Sequence, residues 1–382
     1  MAIILCILAT LLSLADTYIA VSVLSTIPWY IKGWLYLPAL IYWGIILWMT
    51  NTGDTRQMIL NCVMWITICV VLPTVLFTTF SLVGKGLGLL WSPLYLFFSW
   101  IGLAIGAVGF AIALYGSVFG WRRLEVNNVD IAVPGLPENF DGYRIAQLTD
   151  FHIGVYASTP RAVDRIVECV NSLNPDLIVF TGDLVNTSPD ELDGFTDVLS
   201  RFKARDGVIS ILGNHDYCIY KHYTYKDGDT PARALAQVVN SEEKMGWTLL
   251  RNQSLQITRG NDSIAIVGVE NAGHGHFPNR ADLKKALAGL PDDECKILLS
   301  HDPSHWRREV LPDTDIPLML AGHTHAMQFR LGNFSPAEWN YAEWGGLYRE
   351  GHQQLYVSTG VGGNIAFRFG VYPTIDLLTL TR

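Results

Sequence analysis

Charge is almost missing from the first third of this sequence. In a chain of 382 residues, only Asp16, Lys32, Asp54, Arg56 and Lys85 carry charge before residue 121. A segment so poor in charge cannot cover its own surface in water. This excludes a soluble domain there and divides the chain into a membrane part and a water-soluble part. Cysteine is also scarce. Cys6, Cys62 and Cys69 lie in apolar stretches while Cys169, Cys218 and Cys295 are scattered, so no paired spacing supports a disulfide framework. Basic residues number 27 against 35 acidic ones, and a net charge of −8 argues against nucleic acid as the main partner.

Four apolar stretches, at 2–24, 34–50, 57–82 and 88–119, reach or approach the length of about 20 residues that a helix needs to cross a bilayer. The first lacks a basic start and a small-residue cleavage site, unlike a cleaved leader. The fourth contains Gly102, Gly106 and Gly109, small residues that allow helices to approach closely in lipid. Asp16 is costly in lipid and receives no role. With four spans, Arg56, Arg122 and Arg123 fall on one side of the membrane and Lys32 and Lys85 on the other. By the positive-inside rule this slight excess favours a cytoplasmic domain. The expected division is 1–120 as membrane region and 121–382 as one soluble domain.

The soluble part alternates short apolar strands with amphipathic helices. "YRIAQLTD", "PDLIVFTGD", "GVISILGNHD", "CKILLSHDP" and "IPLMLAGHTH" are runs of Ile, Val and Leu, as expected of strands buried on both faces in a layered α/β fold. Each run ends in polar residues: Asp150 and His152; Gly182 and Asp183; Gly213, Asn214, His215 and Asp216; Ser300 and His301; Gly322, His323 and His325. Sites in such sheets form at the carboxyl ends of strands, so the five clusters are expected to gather at one edge.

Any one of these histidines could be a surface or core residue. Five clusters, each directly behind a strand, point instead to a shared metal centre. Two carboxylates, one amide oxygen and four imidazoles make a mixed oxygen and nitrogen set that suits Mn, Fe or Zn. The inventory fits two divalent ions, with Asp183 as the candidate bridge. The glycines at 182, 213 and 322 allow sharp turns close to ions or phosphate.

In this order and spacing, "DFH", "GD", "GNHD", "SH" and "GHTH" resemble the calcineurin-like metallophosphoesterases. From "GGLYREGHQQLYVSTGVGGNIAFRFGVYPTIDLLTL" the chain resembles the YkuE-like bacterial branch. The resemblance implies a four-layer α/β/β/α sandwich, here preceded by a four-helix transmembrane region. It implies one ion on Asp150, His152, Asp183 and His325, and a second on Asp183, Asn214, His301 and His323. It also implies that His215 protonates the leaving group or steadies the transition state, with Asp216 orienting it, and that metal-activated hydroxide attacks the phosphorus. Arg368 matches a recurrent basic position and is a candidate phosphate contact. His274, in "NAGHGHFPN", is a candidate substrate contact.

Two aromatic loops bear on substrate. Tyr220, Lys221, Tyr223, Tyr225 and Lys226 follow His215, and Trp339, Tyr341 and Trp344 follow His325. Such residues are typical of membrane–water interfaces or of loop packing. The expected partners are therefore the bilayer and a phosphorylated substrate, either a membrane lipid or a lipid-linked diphosphate. The expected location is the bacterial inner membrane. The alternatives are a membrane-bound phosphatase or phosphodiesterase for soluble substrates and a non-catalytic phosphate sensor.

Overall fold

The computed structural model describes residues 2–52, 57–220 and 230–382 and divides into two compact units, Met1–Phe119 and Gly120–Arg382. Asp54, Arg56 and the aromatic series Lys221, Tyr223, Tyr225 and Lys226 lie outside the described residues.

Among the described residues, four helical segments are long and apolar enough to cross a membrane: Ile3–Val23, Trp29–Thr52, Ile59–Leu87 and Pro93–Arg122, the last running three residues into the second unit. Gly102 and Gly106 pack on the third segment. A Cβ on Gly102 would sit 2.8 Å from Phe80 Cβ, and one on Gly106 would sit 3.1 Å from the Pro73 carbonyl. Gly109 meets nothing within 4 Å, so only two of the three glycines serve close packing.

Among the described residues, the second unit contains two six-stranded sheets. The first is built from β1 (Glu125–Ala132), β2 (Arg144–Leu148), β3 (Leu177–Phe180), β4 (Val208–Ser210), β5 (Thr248–Leu249) and β12 (Thr374–Thr381), in the order β1-β12-β2-β3-β4-β5. The second uses β6 (Gln253–Arg259), β7 (Asp262–Gly268), β8 (Lys296–Leu299), β9 (Leu318–Ala321), β10 (Gly346–Glu350) and β11 (Gln353–Val357), in the order β10-β11-β9-β8-β7-β6. Both sheets are mixed. The strands that precede the polar clusters run parallel to one another, β2, β3 and β4 in one sheet and β8 and β9 in the other.

Alternation explains the layers, because neighbouring residues on a strand face opposite ways. Ile145, Leu177, Val179 and Ile209 of the first sheet meet Ile264, Ile266, Ile297 and Leu318 of the second in the central core. Their neighbours Ala146, Ile178 and Phe180 face outward onto Val163, Ile166 and Val170 of the helix Pro160–Ser172. On the far side Val267, Leu298 and Met319 cover Leu283, Trp306 and Val310. The result is a four-layer α/β/β/α sandwich, which is why these strands read as unbroken apolar runs.

Candidate metal centre

The ends of β2, β3, β4, β8 and β9 bring together Asp150, His152, Asp183, Asn214, His301, His323 and His325. Two groups form. In one, ligand-capable atoms of Asp150, His152, Asp183 and His325 lie within 4.8 Å of one another; in the other, those of Asp183, His301 and His323 do. Asp183 belongs to both. Its Oδ2 lies 3.1 Å from His301 Nε2 and 3.6 Å from His152 Nε2, while Asp150 Oδ1 lies 3.5 Å from His325 Nε2.

The donor set fits cations. His152 Nε2 and His325 Nε2 face each other at 3.2 Å, and His323 Nδ1 and His301 Nε2 at 3.3 Å. Asn214 donates from its amide nitrogen to Tyr220 Oη at 2.9 Å, and its buried Oδ1 has no donor among the described residues. Leaving a buried oxygen unsatisfied costs about 1–3 kcal/mol, a penalty that coordination removes. His301 Nδ1 is held 2.7 Å from the Thr181 carbonyl, which turns Nε2 toward the cluster.

Burial sets the protonation of most of the rings. It holds His152 and His325 well below the usual imidazole range and His323 down at about 4, so these rings present lone pairs, the form that binds metal. Burial also disfavours the His301 cation, yet the Asp183 and Asp150 carboxylates push it up to about 10. Burial would likewise raise Asp183, but His301, His215 and His152 hold it well below the usual carboxylate range.

Backbone strain concentrates at the same residues. Asp150 (φ 54°), His152 (φ 43°), Asp183 (φ 60°), His323 (φ 75°) and His325 (φ 49°) are all left-handed. This conformation costs a side-chain-bearing residue roughly 1–2 kcal/mol, and five such positions around one centre mark a built site. Two glycines make room for the carboxylates. A Cβ on Gly213 would stand 2.2 Å from Asp183 Oδ1, and one on Gly322 would stand 2.6 Å from Asp150 Oδ2.

His215 is half-buried, with its ring centroid 4.7 Å from that of His152 and 4.6 Å from that of Tyr220. Asp216, expected to orient His215, makes its side-chain hydrogen bonds to backbone groups. His215 Nδ1 lies 2.5 Å from the Asn186 carbonyl, and no bond runs from it to Asp216. The Asp216 carboxylate instead accepts backbone N–H groups of Asp183, Leu184 and Gly213 at 2.8 Å and of Val185 at 3.1 Å. It ties the ends of β3 and β4 together. Asp216→Asn would aim an N–H₂ at these donors, and the expected loss is about 2–3 kcal/mol of stability, read as a lower thermal midpoint. An unchanged midpoint with lost activity would return Asp216 to a catalytic role.

Arg368, expected as a phosphate contact, donates to backbone carbonyls. Its side chain is fully buried and donates to the carbonyls of Gly362, Thr359 and Tyr372, bracing the loop behind Asp150. A guanidinium so engaged has little left for a substrate oxygen. His274 is exposed, and the residue of its loop that reaches the centre is Phe277, whose ring centroid is 5.0 Å from that of His323. Ser300 pairs with His305 at 2.9 Å.

Of the aromatics suited either to a membrane–water interface or to loop packing, Tyr341 and Tyr220 reach the centre, although Tyr220 remains 38% exposed. Tyr341 Oη lies 2.7 Å from His323 Nε2, and Tyr220 covers His215. Trp339 is 73% exposed, whereas Trp344 is half-buried and its carbonyl accepts from Thr324 Oγ1. No local signal separates these aromatics in the sequence, because contact with the centre is set by how the loop folds back.

Residues 143–327 match the family described as Calcineurin-like phosphoesterase. The chain is 30% identical over 292 residues to the metallophosphoesterase YkuE of Bacillus subtilis, covering 72% of this chain and 94% of that protein. It is 32% identical over 271 residues to the "Transmembrane protein with metallophosphoesterase domain" of Danio rerio, covering 66% of this chain and 56% of that one. The chain thus spans just over half the length of the Danio rerio relative. It is 25% identical over 304 residues to the UDP-2,3-diacylglucosamine pyrophosphatase LpxG of Chlamydia muridarum, covering 67% of this chain and 88% of that protein. The chain belongs to the calcineurin-like phosphoesterases, a family of metal-dependent phosphoester hydrolases.

Proposed function

We propose that this chain is an integral-membrane phosphoesterase in which residues 1–120 anchor a hydrolase of residues 121–382 that carries two divalent ions. The observation that supports it most is the sharing of Asp183 between two ligand groups. In this reading Asp150, His152, Asp183 and His325 hold one ion, and Asp183, Asn214, His301 and His323 hold the other. When bound, such a pair of cations activates water and neutralises charge on the phosphoryl oxygens. The rest falls to the chain's own residues. His215, whose Nδ1–H is held by the Asn186 carbonyl, would as the imidazolium give its Nε2 proton to the departing oxygen and be left as the neutral ring. Tyr220 and Tyr341 wall the centre and restrict water around the substrate phosphate.

We assign the substrate to phosphoesters or diphosphates carried on lipid. Between His325 and Tyr341, the loop exposes Met327, Leu331, Phe334 and Trp339, with the last two rings 5.7 Å apart. An exposed apolar group of this kind beside a site suits a bilayer or an acyl chain. The LpxG relative, named for a diacylated sugar nucleotide, is in keeping with this class. The arginines at 122 and 123 after the last span favour the cytoplasmic face of an inner membrane.

Trp339→Ala tests the lipid assignment without touching the centre. It is expected to slow hydrolysis of a lipid diphosphate in mixed micelles about tenfold, from roughly 1.5 kcal/mol of lost ring burial, and to spare p-nitrophenyl phosphate. Equal losses on both would favour a soluble substrate.

A further inference from the structure

We infer that the second unit carries an anionic-phospholipid headgroup site, separate from the metal centre, in the cavity of about 450 Å³ lined by Trp121, Arg122, Leu124, Tyr156, Arg161 and Arg165 among others. Its lining contains three arginines and no carboxylate. Guanidinium groups pair with phosphate in a fork geometry, so three of them around one cavity select an anion of that kind. Arg161 and Arg165 are exposed and one helical turn apart at the start of the helix Pro160–Ser172, where the positive end of the helix dipole adds to their field. Beneath the wall, Trp121 Nε1 and Thr159 Oγ1 are buried with no hydrogen-bond partner among the described residues.

The remaining wall is apolar. Trp121 and Tyr156 pack with ring centroids 5.9 Å apart, and Leu124 and Ile166 join them. A bare phosphate has no use for such a surface, whereas a glycerolipid does. Trp121 and Arg122 follow Val118, the end of the last apolar helix, by three and four residues in the chain. The apolar segment as judged by hydropathy runs on to Arg122. None of the candidate metal ligands lines the cavity. Behind the cavity, Tyr156 Oη donates at 2.5 Å to the carbonyl of Val361.

The test uses the full chain in neutral detergent, stripped with EDTA so that binding is read without hydrolysis. Native mass spectrometry and the shift in thermal midpoint follow titration with dihexanoyl phosphatidylglycerol, dihexanoyl phosphatidylcholine and inorganic phosphate. One phosphatidylglycerol per chain is expected, at least tenfold tighter than either other probe. The pair R161Q/R165Q is expected to weaken it about tenfold, and R161K/R165K to keep most of it. The single variants R161Q and R165Q, each at an exposed helix position, are expected to give intermediate losses if the double variant folds poorly. Equal binding of the zwitterionic lipid, equal binding of inorganic phosphate, or unchanged binding in the glutamine variants would overturn the assignment.

Discussion

Replacing Asp183 by Asn is expected to abolish phosphoester hydrolysis and to release metal from both positions. Its carboxylate lies between the two ligand groups, 3.1 Å from His301 and 3.6 Å from His152, and is the one residue they share. An asparagine keeps the shape but removes the negative charge that balances two cations and offers only one oxygen to them. The same carboxylate accepts the His215 backbone N–H at 2.8 Å, so the substitution also loosens the turn carrying the proposed proton donor. Changes beside a metal ligand cost roughly 10–100-fold, and loss of a bridging ligand should exceed that, to about a thousandfold or more. Turnover and elemental analysis of one preparation check this together. Two ions per chain with full activity would remove Asp183 from the bridging position.

His215→Ala should separate chemistry from metal binding. His215 Nδ1 is engaged by the Asn186 carbonyl, and the ring stands over His152 without belonging to either ligand group. If its part is proton donation to the leaving oxygen, turnover should fall by about 10²- to 10⁴-fold while metal content stays as in the parent. The defect should shrink when the leaving group is a nitrophenolate, which departs with little help from an acid. A parallel loss of metal and rate, or a defect of the same size for every leaving group, would instead make His215 a ligand or a structural residue.

The sequence made the sandwich and the gathering of Asp150, His152, Asp183, Asn214, His301, His323 and His325 legible for one physical reason. Strands buried on both faces read as apolar runs, and the residues that break them must sit at strand ends. What stayed hidden depends on direction. Asp216 follows His215 in the chain, but its carboxylate points back to the N–H groups of residues 183–185 and 213. Adjacency could not reveal that. Arg368 looked like a phosphate ligand because its charge is visible in sequence, whereas the carbonyls that enclose it are brought together only by the folded loop 359–372. Phe277 and Tyr341 converge on His323 from loops distant in the chain. The pairing of β1 with β12 likewise joins segments separated by most of the domain, with Glu125 opposite Thr374. Left-handed backbone at Asp150 and His152 has no composition signal either, since strain of this kind is imposed by the surrounding sheet ends.

The central claim is a two-cation hydrolase with Asp183 between the ions. Its most direct test is elemental analysis of the purified full-length chain, coupled to a phosphoester hydrolysis assay before chelation, after chelation and after metal return. The account predicts two divalent ions per chain, activity that disappears when they are withdrawn, and recovery that requires both positions to refill. A chain that hydrolyses phosphoesters at full rate with one ion or none would contradict it.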